Sequence, residues 1–289
     1  MILFLCLSGR ILSSPMINIL QKRLTQRGST PLFIVASSFI LLFIVSIPIY
    51  YLFQPSTAYY CNPQFWSAVA AMGLCDALGN LYIVKSVKLL DVSVFAPLNA
   101  FKPVVALLLG IFILNESATF PGIIGLVIVV AGSLVLNVPN SKLGFRHKGW
   151  IFRMMSLFFS ALGAVWAKKV ILLSTTTVTF FYWILFNGLV STLIYALRPS
   201  SSLSKQISLF RIQVIQFLLL AVTLGGMQWF TMIVFKRMPV GYALSLFQLS
   251  SLISVWAGSL WLKEKYLIRR TIAAVIMGIG AAILIQSRT

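Results

Sequence analysis

Acidic side chains are nearly missing from this sequence: four Asp and Glu stand against 23 Lys and Arg in 289 residues, with one histidine and three cysteines. That scarcity removes most catalytic constellations. No Ser/His/Asp grouping, paired carboxylates, HExxH or Gly-rich phosphate loop occurs, so an enzyme has little support, and neither an ATP-binding element nor another cofactor is expected. The solitary His147 gives no metal-ligand set. Cys6, Cys61 and Cys75 lack CxxC or metal spacing and read as packing residues. Charge of either sign is also short, at 9% of residues, where a soluble domain carries about 25%. Hydrophobic residues make up 60%, and the mean hydropathy is +0.99. The chain is therefore read as a polytopic membrane protein, and at about 20 residues per span it has room for roughly ten. The formal net charge of +19 is spread through short segments between apolar runs, which fits membrane topology rather than nucleic-acid binding.

Ten apolar runs can be followed along the chain. Residues 1–20 lack a basic leading region and are interrupted by Arg10 and Pro15, so they read as a first span rather than a cleaved signal peptide. A basic loop, 21–31, leads to a charge-free second run, 32–53. Runs follow at 65–85, 92–114 and 120–136, the last with Gly122, Gly125 and Gly132 placed for close helix approach. The polar stretch 137–148 is the longest interruption of the first half and divides the sequence nearly in two. Five more runs lie near 150–172, 178–197, 212–235, 240–262 and 271–285, with a Ser-rich loop at 199–206.

The two halves also match each other. A shift of 148 positions places Val92 on Val240, Leu98 on Leu246, Gly110 on Gly258, Glu116 on Glu264 and Gly132 on Gly280 without a gap. A shift of 147 places Ser13 on Ser160 and Lys22 on Lys169. Each half has an odd number of runs, so the second must enter the membrane from the opposite side. The expected fold is thus an all-α membrane protein of ten transmembrane helices in two inverted five-helix repeats, 1–137 and 150–289, joined by a linker, 138–149. Inverted repeats are a construction of secondary transporters, with the substrate near the midplane.

The segments 102–136, KPVVALLLGIFILNESATFPGIIGLVIVVAGSLVL, and 250–285 resemble the drug/metabolite transporter superfamily, specifically its EamA-type ten-helix members. NILQKRL at 18–24 and AVWAKKVIL at 164–172 are similar to it as well. The resemblance implies a carrier of small metabolites, not an enzyme, with both termini cytoplasmic. It does not select a substrate. One departure is Asn115 and Lys263, where the family often has Gly before the acidic residue.

Three ionisable residues fall near the middle of apolar runs, where each is costly: Arg10, Asp76 and Lys102. Two cations and one anion leave a positive charge over after one ion pair. One reading is a central cavity in which Asp76 holds one base while the other meets a carboxylate or phosphate of the substrate. The alternatives are an ion pair that only locks helices, and an Asp76 that titrates and couples transport to protons. Asn80 and Asn99 share helix sides with Asp76 and Lys102. In the second half Gln228 matches Asn80 and Ser250 matches Lys102, and Gln248 is a further candidate contact. Trp166 and Trp229 fit ligand stacking or an interfacial anchor. Small residues four apart, Ser67-Ala71-Cys75-Gly79 and Ala274-Gly278-Ala282, mark close-packing stripes. Glu116 and Glu264 are candidates to cap neighbouring helix N-termini or to pair with cations.

The expected function is secondary transport of a small polar, anionic metabolite by alternating access. A lipid or lipid-linked sugar flippase and a non-transporting scaffold are the other classes. Expected partners are the substrate, the bilayer and, as an option, a second copy in a homodimer; nucleic acid is not one. A plasma or inner membrane is the expected location. Positive-inside counting puts both termini outside the cytoplasm, the reverse of what the resemblance implies.

Overall fold

The computed structural model describes residues 2–52, 58–87, 98–136, 148–197, 202–253 and 267–287. These residues form eleven α-helices and one 3-10 segment, with no strand among them. In chain order the helices are α1 (Ile2–Gln26), α2 (Pro31–Leu52), α3 (Pro63–Val87), α4 (Lys102–Leu114), α5 (Phe120–Leu136), α6 (Lys148–Leu173), α7 (Thr176–Leu197), α8 (Leu203–Ile212), α9 (Val214–Arg237), α10 (Val240–Phe247) and α11 (Leu267–Gln286). Five of them, α1, α2, α6, α7 and α9, are long and apolar enough to cross a membrane. The expected runs at 92–114, 120–136, 240–262 and 271–285 are represented by shorter apolar helices. Helix α3 has the length to span, but Asp76 and Asn80 lower its apolarity. Most of the linker and the residues around Glu264 lie outside the described residues.

Two boundaries differ from the sequence reading. The basic stretch after residue 20 is helical to Gln26, because Gln, Lys, Arg and Leu are good helix formers and Leu20 and Leu24 are buried. Gly28, at φ +98°, ends the helix. Residues 203–206, expected in a loop, open α8, whose Gln206 is buried and accepts the Thr30 N–H at 3.0 Å. Its amide also donates to the Gly28 carbonyl at 3.4 Å. The buried Gln206 side chain thus satisfies backbone groups of the turn between α1 and α2.

The helices divide into two compact units, each drawing on both halves of the sequence. The first comprises Met1–Val69 and Val170–Ile233, the second Ala70–Lys169 and Val234–Thr289. In the first, Ile17, Leu20, Leu24, Phe33, Phe217 and Leu220 make a buried core from α1, α2 and α9. At the far end of α2, Tyr50 bonds Tyr59 and Tyr60, and Trp66 stacks on Tyr60. Burial and the hydrogen bonds with Tyr50 and Tyr60 push the Tyr59 hydroxyl above its ordinary range, so it stays neutral. This group, with Tyr182 against Phe65 and Trp66, forms an aromatic belt of the kind that marks a membrane interface. Of the three cysteines, all free, Cys6 and Cys75 are buried, whereas Cys61 beside the belt is exposed and does not pack.

The second unit is built on close approach. Helices α5 and α11 meet at Gly125 and Gly280: a Cβ at Gly280 would lie 2.8 Å from the Gly125 carbonyl oxygen. The expected stripe Ala274-Gly278-Ala282 is not the contact face. Gly278 has nothing within 4 Å of where its Cβ would be, and the buried residues are Ala273, Met277, Ala281 and Leu284, one position round the helix. On the other expected stripe Cys75 is buried and Gly79 faces Ser160 of α6. Gly280→Leu should therefore cost about 1–3 kcal/mol or prevent folding, whereas Gly278→Leu should stay within about 0.5 kcal/mol of wild type. Thermal denaturation of both variants in detergent checks the contrast.

Candidate functional site

The second unit holds two polar clusters, and a helix terminus explains the first. Helix α4 ends at Leu114, and Asn115 takes a left-handed conformation, φ 53° and ψ 39°. Asn tolerates that region better than most side chains, which accounts for its presence where the resembling family often has Gly. The turn is closed by the Glu116 N–H on the Gly110 carbonyl at 3.2 Å, and Gly110 leaves the room that the Glu116 carboxylate occupies. Glu116 meets the Lys168 ammonium of α6 at 2.5 Å and accepts the Val240 N–H at 3.1 and 3.3 Å. Lys168 also donates to the Met238 carbonyl at 2.8 Å. Glu116 thus does both things anticipated for it, capping the N-terminus of α10 and pairing with a cation. Lys168 is 8% exposed.

The second cluster surrounds two helix interruptions. Residues 98–99 are helical, 100 and 101 form a turn, and α4 starts at Lys102, so Lys102 stands at a helix start beside a break rather than inside a continuous span. Pro103, which cannot donate to the preceding turn, is the local cause. Helix α10 is interrupted at Gln248 and resumes over 249–253. Under the 148-residue shift Ala100 falls on Gln248 and Lys102 on Ser250, so the two breaks occupy equivalent positions. The Gln248 side-chain amide donates to the Asn99 carbonyl at 3.0 Å. The Asn99 side-chain oxygen accepts from Arg153 of α6, which is 1% exposed. An interrupted helix inside a membrane needs such partners, since each unsatisfied backbone group there costs several kcal/mol.

Lys102 and Ser250 are half-buried next to these breaks. Asp76, also half-buried, packs against Gly163 of α6, where any larger side chain would collide with its carboxylate. Asn80, one turn further along α3, is exposed. Tyr82 stacks on Phe152 and Phe159 of α6, and Lys85 lies 5.6 Å from the Tyr82 ring centroid. Arg10 and Gln228 belong to the first unit, where the Arg10 Nε donates to the Thr231 hydroxyl at 2.8 Å. Of the expected residues, then, Asn99 and Gln248 are joined directly. Arg153 was missed because it stands near the start of an apolar run, where a cation ordinarily reaches out to the interface. Trp166 carries the Lys169 ammonium 4.8 Å from its ring centroid, and Trp229 packs edge-on against Phe180. Among the described residues no cluster of His, Cys, Asp and Glu could hold a metal.

Comparison with known proteins gives these arrangements a family. Residues 2–138 match the model of the EamA-like transporter family, of the drug/metabolite transporter superfamily. A solved structure titled only as the crystal structure of a protein superposes with a TM-score of 0.73 over 96% of this chain and 94% of its own, at 18% identity, which establishes likeness of fold. No curated protein matches the sequence significantly. The family match and the five helices long and apolar enough to cross a membrane both point to an integral membrane protein similar to transporters.

The Glu116–Lys168 pair is buried, so removing one partner strands a charge. Glu116→Ala or Lys168→Ala should each cost about 3–5 kcal/mol, and the double variant less than their sum. A double-mutant cycle by denaturation in detergent measures the coupling, and strict additivity would show that the pair is not an energetic unit.

Proposed function

We propose that this protein is a secondary transporter of a small polar metabolite bearing a negative group, built as ten spans in two inverted repeats and working by alternating access. The substrate site is formed around the interruptions at 100–101 and 248, with Lys102 as the charge that meets the anion. The carrying observation is the pair of helix breaks at repeat-equivalent positions, one followed by a lysine and the other by Ser250. Broken helices are the means by which membrane carriers expose backbone and polar groups to a ligand at depth. Lysine suits the role of a compact charge on a flexible stem, while Arg153 is committed to the Asn99 side chain and stiffens the turn.

The same asymmetry gives the site its sign. Asn99, Gln248 and Ser250 offer neutral hydrogen bonds, and the cation comes from one repeat only. Asp76 and Asn80 on α3 supply the remaining polar groups, whereas Arg10 and Gln228 are not needed by this reading. With no ATP-binding motif in the sequence, the driving force is a gradient or exchange. Lys102→Ala should abolish uptake in proteoliposomes loaded with a candidate metabolite mixture, with the protein still inserted and monodisperse. Undiminished uptake by the variant would exclude Lys102 from the site.

A further inference from the structure

The two units differ in charge. All four acidic residues, Asp76, Asp91, Glu116 and Glu264, fall in the second, so the first has basic side chains and no acidic ones to answer them. Among its described cations, Arg10 stands in the apolar part of α1, whereas Lys22, Arg23, Arg27, Lys205 and Arg211 gather at one end, because α8 packs on the turn between α1 and α2. Gln206 holds that turn through Thr30 and Gly28, and Phe210 of α8 meets Phe33 of α2 edge-on at 6.5 Å between ring centroids. The aromatic belt of Tyr50, Tyr59 and Tyr60 marks the other end of α2. From Pro31 to Leu52 this helix has 22 residues, about 33 Å at 1.5 Å each, close to a hydrocarbon core of about 30 Å. The basic end therefore stands in the headgroup layer opposite the belt.

A pocket of about 270 Å³ opens at this basic end between α1 and α2. Asn18, Gln21, Lys22 and Thr25, spaced i, i+3, i+4 and i+7, put one polar face of α1 along it, while Pro31 and Ile34 of α2 form an apolar wall. The Thr25 hydroxyl donates to the Gln21 carbonyl at 2.8 Å. Among the described residues none pairs with the side chains of Asn18, Gln21 or Lys22, so two amides and an exposed ammonium line the pocket with their hydrogen-bonding capacity unspent.

Charge complementarity selects the occupant. A lysine with amide donors beside it, in a unit without acidic side chains, suits an anionic oxygen, and in the headgroup layer that oxygen belongs to a phosphate. Space for about nine waters at 30 Å³ each takes a phosphate with its glycerol, and the wall of Pro31 and Ile34 meets the start of an acyl chain. Helix α8 carries the same mixture of groups. Leu203 and Ile207, one turn apart, are 54% and 41% exposed, and Lys205 and Arg211 are exposed beside them, as in a helix lying in the plane of the interface. These apolar groups fit a lipid better than a soluble phosphate.

We infer that this end of the first unit binds an anionic phospholipid. Its phosphate is held by Lys22, with Asn18 and Gln21, in the pocket between α1 and α2, and its chains stay in the leaflet. Arg27, Lys205 and Arg211 do not line the pocket; they raise the local concentration of such lipids. The site shares no residue with the proposed substrate site and stands without that reading.

Native mass spectrometry of the delipidated full chain in detergent tests this, with phosphatidylglycerol and phosphatidylcholine of equal chain length added back. Wild type should bind one phosphatidylglycerol about fivefold more than phosphatidylcholine, the share of one lysine against an anionic headgroup. Lys22→Gln, at an exposed position, should bring the two lipids level. Arg211→Gln should keep the preference within about twofold of wild type, since an exposed charge outside the pocket is screened. Asn18→Trp, also at an exposed position, should block the pocket and lose the preference too, and glycerol phosphate at the lipid's concentration should displace nothing. Three results would overturn the site: an undiminished preference in Lys22→Gln, equal losses in Lys22→Gln and Arg211→Gln, which would mean diffuse attraction, and displacement by glycerol phosphate, which would mean a soluble anion.

Discussion

A carboxylate in a membrane protein with four acidic residues carries disproportionate weight, and Glu116 shows how. The residue joins three elements: the end of α4, through its N–H on the Gly110 carbonyl; α6, through its carboxylate on Lys168; and the N-terminus of α10, through its carboxylate on the Val240 N–H. Each partner answers a distinct physical need. The lysine would otherwise be a buried cation, and the amide would otherwise be an unsatisfied donor at a helix start. Because both needs are met by one side chain, the positions of α4, α6 and α10 within their unit depend on it together. The two interrupted helices that frame the proposed substrate site are the same α4 and α10.

The interruptions themselves rest on a division of labour between neutral and charged groups. Gln248 satisfies the Asn99 carbonyl freed by the break, and Arg153 fixes the Asn99 side chain. Both bonds stiffen the turn from which Lys102 projects. A lysine at a helix start next to a break has a different physical setting from one in the middle of a continuous span, since the backbone around it is already built to hold polar groups at depth.

Much of this was legible in the sequence because bilayer physics is blunt. Run lengths gave the fifth span at the bounds of α5, and the paired acidic stops pointed to Glu116 as a cap. Asn99 and Gln248 were each recognisable as candidate contacts, though not as direct partners of one another. What escaped was anything decided by packing. The stripe on α11 was read one position off, because Ala and Gly recur on both faces and only contact with α5 selects Gly280 over Gly278. Arg153 drew no reading at all, since position along a run does not reveal which way a side chain turns. Gln206 stood in a polar stretch where nothing marked it as the residue that satisfies a turn 176 positions away in sequence.

The central proposal is that Lys102 meets an anionic group on a small metabolite. The most direct measurement is thermal stability of the purified wild-type protein across a panel of matched metabolites, each carboxylate or phosphate paired with its neutral amide or dephosphorylated form. The account predicts stabilisation by one or more anionic members, increasing with ligand concentration as mass action requires, and none by their neutral partners. Equal stabilisation by both members of a pair, or by neutral members alone, would contradict it.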